Sequence, residues 1–387
     1  MTAHNVGIIG YGGFGKFLHN AWQKLEQIKV IAIADAIASR KPEGDIKFYT
    51  RWQDLVQNKN IEIVAVVTPP STHAEIACAA LQAGKHIFLE KPIAITIDDA
   101  KKIICTRDET SNKAVINYMM RFNPIIESLG LLARARVFGE LRRVDVENYA
   151  QDSSLPAEHW FWNIDISGGI LIEHGVHFID VVHSLTNAKY ASVNGLVSSH
   201  YIQNENQVLA NVLYDNGVIA THYHSFSRPG FFEDTSIRLS FDLAQIDIHG
   251  WIPLTGEIRA LVNDLTTEKI KLLPGLKIEQ KIPLDQIEDI SRPEGWGENV
   301  QNIGEQLPHK IRSGGVMYDV DQMIKGTFQI SKTKAQVYSD CVRSVMLDLV
   351  RSLEESTHKL RANLEDGLIS LEVASLATKD GRAFKRI

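Results

Sequence analysis

The chain has 387 residues, of which 44% are hydrophobic and 23% charged, and its formal net charge is -6. This length and composition predict an ordinary globular protein with enough apolar side chains for two hydrophobic cores. The lysines and arginines are scattered and the net charge is negative, which excludes an extended nucleic-acid surface and favours a small-molecule partner.

Targeting signals and cysteine spacing indicate the cellular compartment in which a protein resides. Residues 1–7 carry no basic stretch followed by a long apolar run, and the sequence has no uninterrupted apolar run of membrane-spanning length. Cys78, Cys105 and Cys341 are far apart within predicted helices, which indicates reduced thiols rather than a disulfide frame or a zinc site. We therefore predict a cytoplasmic protein without a membrane partner.

A strand, a glycine-rich turn and a helix open the chain. Residues 6–9 are apolar, and residues 16–25 repeat apolar side chains at helical spacing. Glycines between them let the backbone turn tightly and approach a pyrophosphate, and the free N–H groups of a helix start attract phosphate. The predicted phosphate-binding turn comprises Gly10, Tyr11, Gly12, Gly13, Phe14 and Gly15.

A second apolar strand, residues 30–34, ends at Asp35, which lies 20 positions after Gly15. An acid at this spacing accepts hydrogen bonds from the adenosine ribose hydroxyls and repels a 2′-phosphate, which favours NAD over NADP. Arg40 follows closely enough to leave NADP open. The alternative is a glycine turn beside an unrelated acidic strand end, but the ordered series of elements favours a dinucleotide site.

The third predicted strand, residues 61–67, leads into a polar turn and then into a helix that ends at Gly84. This turn either lines the nicotinamide side of a crevice or serves only as a rigid connector. Its candidate cofactor contacts are Thr68, Pro69, Pro70 and His73.

The fourth strand, residues 86–89, stops at two opposite charges, Glu90 and Lys91, followed by Pro92. The pair is either a solvated strand end or part of a site, because open parallel sheets hold ligands at the carboxyl edge of their strands. Pro92 favours an extended Lys91 and therefore one direction for its ammonium. Both charged residues are candidate cofactor contacts, and Lys91 is also a candidate for the chemistry.

The alternation of strands and helices continues through a strand at residues 115–118 and ends near Arg121, which is a candidate cofactor contact from its position. This order predicts a doubly wound parallel sheet, a Rossmann domain over residues 1–121. Residues 122–387 form a second predicted domain, of α+β class, with a large and mostly antiparallel open sheet. Its predicted strands are residues 141–149, 208–214, 218–225 and 237–241.

Three further segments of the second domain differ in how clearly the sequence predicts their secondary structure. Asn216 and Gly217 separate two predicted strands, as in a hairpin, and residues 332–355 have a helical pattern. Residues 284–327 are rich in Pro, Gly and Asn and lack periodicity, so they form a lid, an oligomer contact or elements without a sequence signal.

Polar side chains interrupt an apolar helix predicted over residues 167–180. Glu173, His177 and Asp180 fall on one helical face, and a carboxylate beside an imidazole suits a general base, so we predict that His177 accepts a proton. A metal site from Glu173, His174 and His177 is an alternative, as is a core histidine. His174 projects about 100° away from Glu173, so we predict no metal. Upstream, His159, Trp160 and Trp162 form either an aromatic wall over a substrate or plain packing.

Three motifs together resemble the Gfo/Idh/MocA oxidoreductase family. They are the glycine fingerprint at residues 10–15, the A-G-K-H…E-K-P pattern at residues 83–92, and the G-G-x-x-x-D-x-G-x-H-x-x-D pattern at residues 168–180. Their order and spacing match over nearly the whole chain. In this chain Glu173 stands where the family usually has aspartate, which keeps the charge and adds one methylene.

The resemblance implies an N-terminal Rossmann domain, a C-terminal domain with an open sheet, and hydride transfer between NAD(P) and a sugar, cyclitol or related polyol. It also implies that Lys91 and His177 match the family's catalytic lysine and histidine, with Glu173 beside them, and that the protein is a homodimer or homotetramer. Candidate substrate contacts by position are Lys91, Arg121, Trp162, Glu173, His174, His177 and Tyr223.

Two other functions are compatible with the same motifs. One is an NAD-dependent glycoside hydrolase, which oxidises its sugar transiently and keeps the cofactor bound. The other is a cofactor-binding protein without catalysis, which the joint presence of Lys91, Glu173 and His177 disfavours.

Overall fold

The structure is a computed structural model that describes residues 3–151, 155–199, 205–287 and 309–383. Of the segment predicted as a lid or an oligomer contact, residues 288–308 lie outside the described residues. Within the described chain, no helix is long and apolar enough to cross a membrane. All three cysteines are free thiols, as predicted.

The first half of the chain is built on a parallel sheet of six strands. They are β1 His4–Ile9, β2 Ile28–Ala34, β3 Lys47–Tyr49, β4 Ile63–Val66, β5 His86–Leu89 and β6 Ala114–Ile116, in the spatial order β3-β2-β1-β4-β5-β6. Every neighbouring pair is parallel. All four residues of β4 are buried, as expected where helices cover both faces of a sheet. The predicted Rossmann fold is confirmed, although β4 and β6 are shorter than predicted.

Four helices accompany this sheet: α1 Gly13–Trp22, α2 Trp52–Val56, α3 His73–Gln82 and α4 Ile97–Thr110. Helix α1 begins three residues before the predicted start, because Gly12 already serves as its N-cap. Helix α4 is capped by Thr96, whose hydroxyl accepts a hydrogen bond from the amide of Asp99.

The second half is built on a mixed sheet of nine strands. They are β7 Leu141–Gln151, β8 Tyr190–Ser198, β9 Gln207–Tyr214, β10 Ile219–Arg228, β11 Asp234–Phe241, β12 Ala244–His249, β13 Thr255–Val262, β14 Lys277–Pro283 and β17 Gln322–Gln329, and a separate hairpin pairs β15 Lys310–Ser313 with β16 Val316–Asp319. The spatial order is β14-β17-β13-β12-β11-β7-β10-β9-β8. The mostly antiparallel prediction is confirmed, with one parallel pair, β7 and β10. Strands β9 and β10 form the predicted hairpin.

The described part of this half contains six helices: α5 Pro124–Arg134, α6 Ile164–Ser167, α7 Val176–Thr186, α8 Asp264–Lys269, α9 Lys334–Glu354 and α10 Leu364–Ala383. Helices α7 and α10 pack on one face of the nine-stranded sheet, so burial alternates along β9. Helix α9 packs back onto α1, where Tyr338 meets Phe17 at a ring-centroid distance of 4.7 Å. Helices α5 and α10 were not among the predicted elements.

The helix predicted over residues 167–180 is interrupted. Gly168 and Gly169 have left-handed backbones, with φ of 84° and 104°, which end α6 and start a new direction. A π-helical turn, Leu171–Gly175, follows, and the amide of Val176 reaches the carbonyl of Leu171. Glu173 lies in this turn and His177 lies at the start of α7, and among the described residues their side chains are not hydrogen-bonded to each other.

Candidate active site

A cavity of about 770 Å³ runs along the carboxyl edge of the six-stranded sheet, and both halves of the chain line it. One end lies at the glycine turn after β1, and the other lies where β5 and β6 meet the π-helical turn and α7. The predicted residues that line it are Gly10, Gly12, Gly13, Phe14, Gly15, Asp35, Arg40, Thr68, Pro69, Pro70, Glu90, Lys91, His159, Trp160, Glu173 and His177.

The glycine turn is shaped for close approach. A Cβ atom on Gly10 would lie 2.4 Å from the carbonyl oxygen of Val67, and one on Gly15 would lie 2.1 Å from that of Gly10. A Cβ on Gly13 would meet no protein atom within 4 Å, which leaves the backbone there open to the cavity. No side chain of a described residue caps α1, so its first amides are available to a phosphate. This cradle fits a pyrophosphate.

Tyr11 does not line this cradle, contrary to prediction. Its amide donates to Asp35 Oδ2 at 2.7 Å, so the amide is already used. Its hydroxyl pairs with His19 Nδ1 at 2.7 Å and is buried. Tyr11 therefore supports Asp35 instead of facing a ligand.

Asp35 is buried at the end of β2 and faces the cavity together with Arg40. Its other carboxylate oxygen accepts the amide of Ile37 at 2.8 Å, and Arg40 Nη1 lies 3.1 Å from Oδ2. Arg40 is more exposed than its partner, with 40% of its side-chain surface accessible. The pair fits a ribose diol, and the exposed guanidinium is within reach of a substituent on that ribose.

The turn after β4 contributes Thr68, Pro69 and Pro70 to the cavity, but not His73. The His73 ring is fully buried, and its two nitrogens lie 2.7 Å and 2.9 Å from the carbonyl oxygens of Pro92 and Thr68. His73 thus ties the β4 turn to the β5 turn and contacts no cavity ligand.

An ion pair joins the two halves at the other end of the cavity. Lys91 Nζ lies 2.6 Å from Glu173 Oε1 and donates to the Glu173 carbonyl oxygen at 2.8 Å. Burial raises the pKa of Glu173, but the Lys91 ammonium, together with His174 and His159, outweighs burial and lowers that pKa. The predicted Glu173–His177 pair is therefore replaced by a Glu173–Lys91 pair.

His177 lines the same end of the cavity, and its Nδ1 has no hydrogen-bond partner among the residues that the structure describes. Burial, and then the nearby Lys91 charge, hold the pKa of His177 well below its ordinary value. The imidazole is neutral at physiological pH. Asp180, predicted to share its face, instead binds Arg121.

Glu90 and Asn117 complete this end of the cavity. Asn117 Nδ2 donates to Glu90 Oε1 at 2.6 Å, and burial raises the pKa of Glu90 to about 7 despite the neighbouring Lys91. Asn117 was not predicted to be a site residue. Its position directly after β6, at the same edge as Lys91, is the signal that could have found it.

Aromatic rings enclose the reaction end. His159 and Trp160 line the cavity, which favours the aromatic wall over plain packing for these two residues, and Trp251 and Tyr338 join them at a ring-centroid distance of 5.6 Å from each other. The last two were missed, because each comes from a distant segment without a local motif. Trp162 does not line the cavity, since its indole donates to the Leu155 carbonyl oxygen and packs on Phe161.

Two other predicted contacts, His174 and Tyr223, lie elsewhere. His174 Nε2 pairs with Asn148 Oδ1 at 3.1 Å behind the cavity wall, and Tyr223 donates to Gln207 on the nine-stranded sheet. Among the described residues, no group of three or more His, Cys, Asp and Glu side chains could hold a metal ion.

Arg121 is also outside the cavity, contrary to prediction. Its guanidinium contacts Asp180 at 2.6 Å and Asp366 at 3.0 Å, and donates to the Arg361 carbonyl oxygen. These partners lie on α7, on α10 and in the segment between α9 and α10. Arg121 therefore ties the end of the first half to the helices of the second.

Two family descriptions match the chain. "Oxidoreductase family, NAD-binding Rossmann fold" matches residues 4–118, and "GFO/IDH/MocA C-terminal domain" matches residues 130–246. Inositol 2-dehydrogenase of Salmonella paratyphi B is 28% identical over 196 residues, which cover 49% of this chain and 56% of that protein. The NAD(+)-dependent scyllo-inositol 2-dehydrogenase of Bacillus subtilis is 25% identical over 224 residues, covering 54% and 64%.

The chain thus spans little more than half the length of the first of these relatives. A solved structure of levoglucosan dehydrogenase in complex with NADH and levoglucosan has a similar fold, with a TM-score of 0.75 and 16% identity over 98% of this chain and 97% of that one.

Arg121→Met tests whether this arginine is structural. Removing one partner from a buried ion network leaves uncompensated charge, so we expect the free energy of unfolding to fall by about 3–5 kcal/mol. Urea unfolding measures this loss, and Arg143→Met, at an exposed ion pair with Asp145, should change stability little. Unchanged stability together with lost cofactor binding would instead indicate that Arg121 contacts the cofactor.

Proposed function

The chain belongs to the Gfo/Idh/MocA family of oxidoreductases, and from this membership we propose that it is an NAD-dependent dehydrogenase of a hydroxyl group in a sugar, cyclitol or related polyol. The observation that carries the proposal is a single cavity with a phosphate cradle and Asp35 at one end and Lys91, Glu173 and His177 at the other. That order matches a bound dinucleotide whose reactive end reaches a polar substrate.

Different residues of the chain would bind different parts of the cofactor. The amides of Gly12 and Gly13 would hold the pyrophosphate, and Asp35 would accept the adenosine ribose hydroxyls. When bound, NAD supplies a hydride acceptor for the carbon that carries the substrate hydroxyl.

Lys91 is the proposed electrostatic residue. Its ammonium is held by the Glu173 carboxylate and carbonyl oxygen, which fixes its direction at the cavity wall. A fixed cation stabilises negative charge as it develops on a substrate oxygen, and it needs no reorganisation during the reaction. Glu173 is then a positioning residue for Lys91.

His177 is the proposed proton acceptor. Its neutral imidazole lies in the same part of the cavity as Lys91, and its depressed pKa keeps it unprotonated before the reaction. It can therefore take the hydroxyl proton while the carbon loses its hydride.

The lining supports an uncharged substrate. Among the cavity-lining residues that the structure describes, the lysine and arginine side chains are Lys91, which Glu173 neutralises, and Arg40, which lies at the Asp35 end. Trp160, Trp251 and Tyr338 offer flat apolar faces to a ring that carries hydroxyls. A neutral cyclic polyol fits this combination better than a sugar acid or a sugar phosphate.

A spectrophotometric screen tests the proposal. Inositols, neutral sugars, sugar acids and sugar phosphates are incubated with NAD, and a neutral polyol should yield one NADH for each product molecule. Conversion of a glycoside without net NADH would indicate the hydrolase instead. Failure of every substrate to reduce NAD, in a protein that still binds it, would contradict the proposal.

Lys91→Met should slow turnover by on the order of a hundredfold or more, because the oxyanion loses its cation. Cofactor affinity, followed by NADH fluorescence, should be retained. Lys101→Met, at an exposed position on α4, provides the control. Near-normal kcat in Lys91→Met would remove this residue from the mechanism.

Asp35→Ser should weaken NAD binding by on the order of tenfold or more, because the ribose loses a charged hydrogen-bond acceptor. NADP binding should improve, since Arg40 then lacks its carboxylate partner and is free to meet the 2′-phosphate. Titrations with NADH and NADPH measure the switch, and Asp45→Ser is the exposed control. An unchanged preference would mean that Asp35 does not contact the ribose.

We further propose a homodimer or homotetramer in the cytoplasm. Leu196, Leu213 and Ile219 are exposed on neighbouring strands of the nine-stranded sheet, which supports contact with a second copy. Three free thiols support a reducing compartment. Light scattering coupled to size exclusion tests the assembly, and a monomeric mass at micromolar concentration would refute it.

A further inference from the structure

Glu90 is a buried carboxylate at the reaction end of the cavity. Its residue is 6% exposed, it lines the cavity, and Asn117 holds one of its oxygens at 2.6 Å. The proposed chemistry uses Lys91, Glu173 and His177 and leaves Glu90 without a role. A buried acid is costly to ionise unless a positive charge compensates it, so its presence calls for a partner.

The charges around Glu90 do not balance when it is ionised. Lys91 is its neighbour in the chain, but the Lys91 ammonium already lies 2.6 Å from the Glu173 carboxylate. From the other elements the ionisable groups at this end of the cavity are Glu173, His177 and Tyr338. The His177 imidazole is neutral, because its pKa is held well below its ordinary value, and the other two groups cannot carry a positive charge. One cation therefore faces two carboxylates, and the reaction end has an excess of one negative charge.

We propose that Glu90 discriminates between the two redox forms of the cofactor by charge, favouring the positively charged oxidised nicotinamide over the neutral reduced ring. This inference rests on the proposed function, since the nicotinamide must lie beside Lys91 and His177 for hydride transfer there. An ionised carboxylate at the end of the cavity that would hold that ring, in a partly desolvated environment, is expected to change the ratio of affinities by on the order of tenfold.

The protonation of Glu90 gives the proposal a pH signature. Its pKa in the free protein is raised to about 7, and a bound cation would lower it. NAD+ affinity should therefore rise with pH through the interval below pH 7 and level off above it, while NAD+ binding releases a proton. NADH has no charge on its ring, so its affinity should not depend on Glu90. At this end of the cavity the pKa of Glu173 is lowered, that of His177 is held well below its ordinary value and that of Tyr338 is raised, so these groups keep their protonation state through this interval.

Calorimetric titration of the wild-type protein with NAD+ and with NADH, between about pH 5.5 and pH 8.5, is the first experiment. Repeating it in two buffers of different ionisation enthalpy counts the protons released. We expect release near pH 6.5 with NAD+ and none with NADH. This measurement needs no variant and no substrate, so it stands even if substitution of Glu90 prevents folding.

Glu90→Gln is the second experiment, because the amide keeps the size and an oxygen for Asn117. We expect about tenfold weaker NAD+ binding at pH 8, no pH dependence of the affinity ratio, and unchanged NADH binding. Glu26→Gln removes an exposed carboxylate from the same half of the chain and should leave both affinities unaltered.

The outcomes separate this inference from the function on which it rests. Equal pH dependence for both cofactor forms, or an unchanged affinity ratio in Glu90→Gln, would overturn the role of Glu90 and leave the dehydrogenase proposal intact. A protein that bound neither form would overturn both.

Discussion

The contact between Lys91 and Glu173 is the interaction on which the candidate site depends. It joins the end of β5 in the first half to the π-helical turn in the second, and the two side chains are only 14% and 13% exposed. At such burial each charge needs the other, because an unpaired ion at this depth would cost several kcal/mol. The same bond orients the ammonium at the cavity wall, so the stability of the junction and the geometry of the site have one cause.

The glycines before that turn make the contact available. Gly168 and Gly169 take left-handed backbones that side-chain-bearing residues rarely adopt, and the chain re-enters helix through the π-helical turn. Glu173 is then paired with Lys91, while His177, at the start of α7, lines the cavity with an Nδ1 that has no hydrogen-bond partner in the described part of the chain. A neutral base and a paired cation, rather than an acid-imidazole pair, are what this backbone produces.

Helix α9 shows how far the cavity depends on long-range packing. It returns to the first half through Tyr338 and Phe17, and Tyr338 with Trp251 closes the reaction end. Arg121, by contrast, adjoins the site in sequence but is held by Asp180 and Asp366 and ties the two halves together. Trp251 and Tyr338 are thus distant from the site in sequence but line it, whereas Arg121 is near in sequence and does not.

The sequence by itself determined the elements whose signals are local. The apolar runs, the glycine turn and the acid at Asp35 predict the parallel sheet and the edge at which it binds a ligand. They can do so because hydrophobic periodicity and turn-forming residues are recognised within a few positions of the sequence. Tertiary structure alone decided the partners of Glu173, Tyr11 and Arg121, and the entry of Trp251 and Tyr338 into the cavity. Those outcomes arise from competition among buried charges and rings that lie far apart in the chain, and no local pattern encodes which of them meet.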